Sequence, residues 1–245
     1  MNRRILVFFF LFISTIITAG KYYNPAVYLD ELEGYKLVYS KLLTMENNAQ
    51  RMVITEYTDN VKDRKRIDMK TGPSGSISII IKPDSVFVIY KAGNTYFTME
   101  REQDELLFTL FKLNMFQSLD MAANLPDSFI VSREDNSNSS TVRYSMKMDT
   151  LVSFLEVDMS ADSLIRAIKI LDSYGQTISE NMFKGYRNNI PHNITNTISV
   201  DGYSYKETML ISQFDDSFMP SDTIFEFDRE GMTERDFSEL LNAVQ

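Results

Sequence analysis

Residues 164 to 187 leave the backbone little choice. Leu164-Ile165-Arg166-Ala167-Ile168-Lys169-Ile170-Leu171 places Leu164, Arg166, Ile168 and Ile170 on one side and Ile165, Ala167, Lys169 and Leu171 on the other, the period of two that marks a strand. Asp172-Ser173-Tyr174-Gly175 follows, and Gly175 can take the positive φ of a tight hairpin turn. Gln176 to Tyr186 then reads as the partner strand. Asn188-Asn189-Ile190-Pro191 closes it, because proline supplies no ladder donor. No stretch here is long enough for a crossover helix, so the pairing is antiparallel.

The same period recurs along the chain. Met52, Ile54 and Tyr57 lead into Thr58-Asp59-Asn60; Arg64 to Lys70 follows and ends at Gly72-Pro73-Ser74-Gly75. Ser76 to Lys82, Ser85 to Tyr90 and Thr95 to Met99 are further strands, separated by Pro83-Asp84 and Ala92-Gly93-Asn94. Ser85-Val86-Phe87-Val88-Ile89-Tyr90 is apolar on both sides, as in a strand covered twice. Asp127 to Arg133 is expected as a strand, Glu134 to Ser140 as a polar loop tip, and Thr141 to Met148 as a strand with Val142, Tyr144, Met146 and Met148 inward. Leu151 to Val157 is another strand. Ile194 to Val200 and Tyr203 to Phe214 form a hairpin around Asp201-Gly202. About eleven or twelve strands exceed one flat sheet, which is expected to curl into a barrel or an open half-barrel.

Three stretches depart from this period. Val27, Leu29, Leu32, Tyr35, Lys36, Val38, Tyr39, Leu42 and Leu43 recur near helical spacing, which predicts an amphipathic helix over 26–46, weakened by Gly34. Thr233 to Val244 predicts a short exposed helix in a C-terminal tail, 229–245. Between the two groups of strands, Arg101 to Asn124 opens with Glu102 and Asp104, favourable at a helix N-terminus. It continues with Leu106, Leu107, Phe108, Leu110, Phe111, Leu113, Met115, Phe116, Leu119, Met121, Ala122 and Ala123 until Leu125-Pro126. A helix apolar nearly all round is buried on more than one side. Two readings stand: a core helix filling a curved sheet, or a plug across a lipid cavity.

The first twenty residues separate from the rest. Asn2-Arg3-Arg4 is basic, Ile5 to Thr18 almost wholly apolar, and Thr18-Ala19-Gly20 offers small residues to a peptidase, so 1–20 reads as a cleaved secretory signal. The run is shorter than the roughly 20 residues an uncleaved anchor needs. Lys21 stands where a lipidated cysteine would be, and the chain has no cysteine, which removes disulfides, thiol catalysis and thiolate metal sites. A soluble protein of a bacterial periplasm is expected, with 21–245 as one domain. Without Arg3 and Arg4 the 25 basic residues fall to 23 against 34 acidic ones, a net charge of −11 that repels nucleic acid.

Signatures of catalysis are missing from the sequence. His192, the single histidine, follows Pro191 at a strand start, the position of a solvated turn residue rather than a base. There is no HExxH, phosphate loop or GxGxxG. Asp215-Asp216 and Asp30-Glu31-x-Glu33 lack metal-loop spacing. Asn138-Ser139-Ser140 and Asn193-Ile194-Thr195 are glycosylation sequons, relevant only in a eukaryotic host. Lys62, Arg64, Lys65 and Arg66 form the one basic cluster, either a solvated strand edge or a surface for an acidic partner or head group. No catalytic residue, metal or cofactor is expected.

Several segments together resemble the periplasmic lipoprotein carrier and outer-membrane lipoprotein-sorting superfamily, the LolA/LolB-like proteins. They are the Leu164–Ile170 strand, the Asp172–Gly175 turn, Phe183-x-x-Tyr186, the strand start at Ile190-Pro191, the basic strand ending in Asp68-Met69, Tyr96-Phe97-x-Met99, and Phe218-Met219-Pro220-Ser221-Asp222-Thr223-Ile224-Phe225-Glu226-Phe227. Met219 replaces an aliphatic residue, and the Arg-Pro pair of the well-studied carriers does not occur. The resemblance implies a mainly β fold with helices (α+β): a strongly curved antiparallel sheet forming an open half-barrel, its concave face covered by the 101–124 helix. It implies a monomeric, non-enzymatic carrier of lipid or lipoprotein acyl chains, with inner- and outer-membrane transport partners. The lid would supply Leu106, Leu107, Phe108, Leu110, Phe111, Met115, Phe116 and Leu119, and the strands Ile79, Ile81, Val86, Val88, Tyr144 and Met146. The 14 methionines would give an adaptable lining. The alternative is a non-transporting envelope interaction or stress-sensing protein on the same scaffold, its cavity only a core.

Overall fold

The computed structural model describes residues 25–45, 48–72, 75–103, 116, 119, 122, 125–145, 154–200, 203–237 and 239. The signal at 1–20, most of the expected lid helix and Met146 lie outside them. The described residues form one helix, α1 (Pro25–Glu31), and 14 strands. No described helix is long and apolar enough to cross a membrane.

The strands fall into two compact units. The first draws on Leu29–Leu43, Ala49–Leu113 and Met209–Gln245. It contains β2 (Asn48–Asp59), β3 (Arg64–Thr71), β4 (Gly75–Ile81), β5 (Ser85–Tyr90), β6 (Thr95–Glu100) and β14 (Thr233–Asp236), with most of β1 (Gly34–Met45) and the end of β13 (Tyr203–Asp215). Its order is β14-β6-β5-β4-β3-β2-β1-β13. The second draws on Met1–Tyr28, Thr44–Asn48 and Asn114–Thr208. It holds the start of β13, then β12 (Ile190–Val200), β11 (Thr177–Arg187), β10 (Ile165–Leu171), β9 (Phe154–Ser160), β8 (Ser139–Ser145) and β7 (Ile130–Asn136), in that order. β14 and β7 are edge strands.

In the second unit the Asp172–Gly175 turn is as the sequence predicts. Asp172 Oδ1 accepts from the amides of Tyr174 and Gln176 at 2.8 Å each, and Gly175 sits at φ +80°, where a Cβ would be strained. Asn188 and Asn189 both take positive φ, 48° and 63°, the mirror-image turn that fits the strand twist. The Tyr186 hydroxyl donates to the Ile165 carbonyl. Val142, Tyr144, Leu155, Val157, Met159, Ile165, Ile168, Phe183, Ile190 and Ile194 are buried.

Four expectations are corrected. The helix over 26–46 ends at Glu31, and Gly34–Met45 is strand β1, whose Tyr35, Leu37 and Tyr39 alternate inward at 3%, 1% and 8% exposure. β-branched and aromatic residues there favour the pleat, and Asn60 donates to the Leu29 and Leu32 carbonyls at 2.8 and 2.7 Å where α1 stops. The loop tip at 134–140 is mostly strand, with Asp135 opposite Ser140 and Asn136 opposite Ser139, so the hairpin turns on two residues. Pro191 does not close the second hairpin but lies in β12 opposite Tyr186, and half-buried His192 stands beside it in the strand. Finally, Thr233–Asp236 is a strand parallel to β6, not the start of a helix.

Gly34 is held where no side chain fits. A Cβ there would lie 2.9 Å from both Pro220 Cδ and the Thr58 carbonyl oxygen. Gly34→Ala is therefore expected to destabilise the first unit by roughly 1–3 kcal/mol, read from the midpoint of urea unfolding.

Candidate ligand-binding face

Strand register sorts the first unit's side chains onto two faces. Ile79 lies opposite Val88 and Ile81 opposite Val86; Val86 in turn lies opposite Met99 and Val88 opposite Phe97. Ile81, Val86, Val88 and Met99 form one buried cluster with Phe237, flanked by Ile77, Ile79, Tyr90 and Phe97. The structure thus brings together four of the expected binding residues, Ile79, Ile81, Val86 and Val88. We call this the Val86 face. Of the others, Phe116, Leu119 and Tyr144 are buried in the second unit, at 0%, 1% and 2% exposure. Leu106, Leu107, Phe108, Leu110, Phe111, Met115 and Met146 lie outside the described residues.

The Val86 face has a polar border. Across β3 the register puts Lys65 opposite both Ile81 and Thr58, with Glu56 opposite Ile67, so Glu56, Thr58 and Lys65 share the face of the apolar cluster. Glu56 Oε1 accepts from Lys65 Nζ and the Tyr35 hydroxyl, each at 2.9 Å, and all three residues are buried. Burial, then the neighbouring Glu56 charge, pushes the Tyr35 hydroxyl well above the usual phenol range. Thr58 is buried beside the Tyr35 hydroxyl. In-phase alternation of Ile54, Glu56 and Thr58 carried the signal for this border: it places one charge on an otherwise apolar side.

The opposite, Phe87 face is closed by the chain itself. Ile80, Phe87, Ile89, Tyr96 and Phe225 form its cluster, joined by Tyr57, Ile224, Phe227 and Met232. Lys62, Arg64 and Arg66 of the basic run secure this cover, so the run is not the solvated strand edge that the sequence suggests. Lys62 and Arg64 meet Asp222 at 2.5 and 2.8 Å, and Arg64 also pairs with Asp59 while lying 4.4 Å over the Phe225 ring. Arg66 pairs with Asp68 and donates to the Ile224 carbonyl at 2.8 Å. Moreover, β3 is flanked by β2 and β4 and is no edge. Phe237, Met99 and the Tyr35-Glu56-Lys65 group were missed by the sequence reading; Phe237 gave no periodic signal in a charged tail. Among the described residues no group of three or more His, Asp or Glu could hold a metal ion.

Breaking the buried pair should cost more than replacing it. Lys65→Met leaves the Glu56 carboxylate buried beside Tyr35, an expected loss of about 3–5 kcal/mol, whereas Lys65→Met with Glu56→Leu recovers most of it. Urea unfolding of both variants measures the difference.

No family model and no curated protein sequence matches the chain. Among solved structures it is similar to a LolA superfamily protein from Nitrosomonas europaea, with a TM-score of 0.50 and 9% identity over 83% of this chain and 96% of that one. It is also similar to a DUF1329 family protein from Desulfovibrio piger, with a TM-score of 0.49 and 11% identity over 82% and 93%. Mostly β among the described residues, with β14 and β7 at the ends of the strand order, this chain has the fold of the LolA superfamily protein.

Proposed function

We propose that the chain is a periplasmic, non-enzymatic binding or carrier protein for lipid or lipoprotein acyl chains. The observation that carries the reading is the Val86 face: Ile79 and Ile81 of β4, Val86 and Val88 of β5 and Phe97 and Met99 of β6, bordered by the buried, mutually bonded Tyr35, Glu56 and Lys65 side chains. Such a row presents no directional partner. It suits a ligand of apolar area without fixed shape.

The energetics fit reversible binding. Each methylene buried is worth about 0.8 kcal/mol, so a sixteen-carbon chain offers on the order of 10 kcal/mol gross. On this reading the apolar segment after β6 covers the sheet in the empty state and is displaced by the ligand; re-exposing its Leu and Phe side chains offsets much of that gain. The LolA-like fold supports the reading.

Native mass spectrometry of the protein purified from a diderm periplasm is expected to reveal co-purifying lipid. Ile79→Asp, on a half-buried position, should weaken binding of a fluorescent sixteen-carbon fatty acid at least tenfold. Phe111→Asp should abolish pickup while the β signal in circular dichroism persists. A bare mass with no fatty-acid binding by the wild-type protein would overturn the proposal. Unfolding by Phe111→Asp would assign the segment to the core.

A further inference from the structure

Strand β14 holds the edge of β6 in an unusual way. The sheet pairs next to it are antiparallel, yet β14 lies parallel to β6, with Thr233 opposite Thr95 and Asp236 opposite Thr98. It is four residues long and all four are exposed. Its backbone enters the register through the Thr233 amide, which donates to the Asn94 carbonyl at 2.8 Å.

Side chains grip the edge from both faces. On the Phe87 face the Glu234 carboxylate accepts from the Tyr96 hydroxyl at 2.8 Å and the Thr98 hydroxyl at 2.9 Å, contacts that hold it below the usual carboxylate range. Three residues on, Phe237 is buried on the Val86 face among Ile81, Val86, Val88 and Met99. Blunting an edge against aggregation needs only short length and charge, and Arg235 and Asp236 would supply that. An acidic residue of the paired strand read by two hydroxyls, and an aromatic residue directly after the strand held in an apolar seat, are instead the kind of side-chain pockets that give strand addition its selectivity, while backbone bonds give affinity.

We propose that the β6 edge is a strand-addition site for an extended peptide segment of a partner protein, bound parallel to β6 and carrying an acidic residue three positions before a phenylalanine, and that β14 is the chain's own competitor for it. The register of β14 defines the ligand chemistry. Because the tail is tethered, it competes at an effective concentration on the order of millimolar, so the edge is open only to a peptide that outcompetes it. This inference does not depend on acyl-chain binding.

The test uses the full chain and a fluorescein-labelled peptide, Met-Thr-Glu-Arg-Asp-Phe-Ser, followed by fluorescence anisotropy. Glu234→Lys with Phe237→Asp disables the tail; this double variant is expected to bind the peptide at least tenfold more tightly than the wild type. A control peptide with lysine and aspartate at the Glu and Phe positions should not bind. Should the double variant lose its β signal in circular dichroism, Glu234→Ala alone replaces it and should bind more tightly than wild type. Absence of binding to a folded tail-disabled variant, or equal binding of both peptides, overturns the proposal. Wild-type dimers in sedimentation that Glu234→Lys abolishes would assign the edge to a second copy and overturn it as well.

Discussion

Strand β5 has no side that can face water. Ser85 through Ile89 are all buried, so whatever sheet contains them must be covered twice, and the arrangement of the first unit follows. One cover is the chain from Asp222 to Met232, which puts Ile224, Phe225, Phe227 and Met232 on the Phe87 face. Burying one such side chain is worth about 1.5–3 kcal/mol, so several together can hold a segment that has little regular structure. Arg64 and Arg66 then fix its position, through the Phe225 ring and the Ile224 carbonyl. Arg229 adds to this by lying 5.0 Å over Phe87 and 5.3 Å over Phe227. The second cover lies over the Val86 face, where Ile81, Val86, Val88 and Met99 are buried. Among the described residues, Phe237 is the one that joins the cluster on the Val86 face from outside β4 to β6.

What the sequence disclosed depended on how local the determining interaction was. The Asp172–Gly175 turn is set by the φ value that Gly175 tolerates, so that hairpin was legible; at Asn188-Asn189 the turn was visible, but Pro191, which reads in the sequence as the end of pairing, lies in β12. The shared face of Ile79, Ile81, Val86 and Val88 was legible too, because alternation assigns a face, although their register came only with the structure. The stretch 26–46 failed because Tyr35, Val38, Tyr39 and Leu42 satisfy helical spacing while Tyr35, Leu37 and Tyr39 satisfy a period of two, and sheet pairing chose the second. The basic run failed for a different reason. Asp222, the partner of Lys62 and Arg64, is 160 and 158 positions away, and nothing near residue 62 announces it. β14 is the extreme case: Thr-Glu-Arg-Asp has no strand signal, and takes its form from the edge it meets.

The buried Tyr35-Glu56-Lys65 group explains why an apolar face of this kind can be bounded. A lysine and a glutamate out of water are expensive singly, and their pairing restores the balance only when the remaining polar atoms are satisfied; the Tyr35 hydroxyl on Glu56 supplies one such contact. Once satisfied by each other, these atoms offer an apolar guest nothing, while disturbing them would strand a charge. The aliphatic row therefore ends where Ile81 meets Lys65 across β3 and β4. At its other end the row stops at β6, where Phe237 is seated and the sheet has its edge. One boundary is electrostatic and fixed by a costly pair; the other is a single aromatic ring just past a short parallel strand.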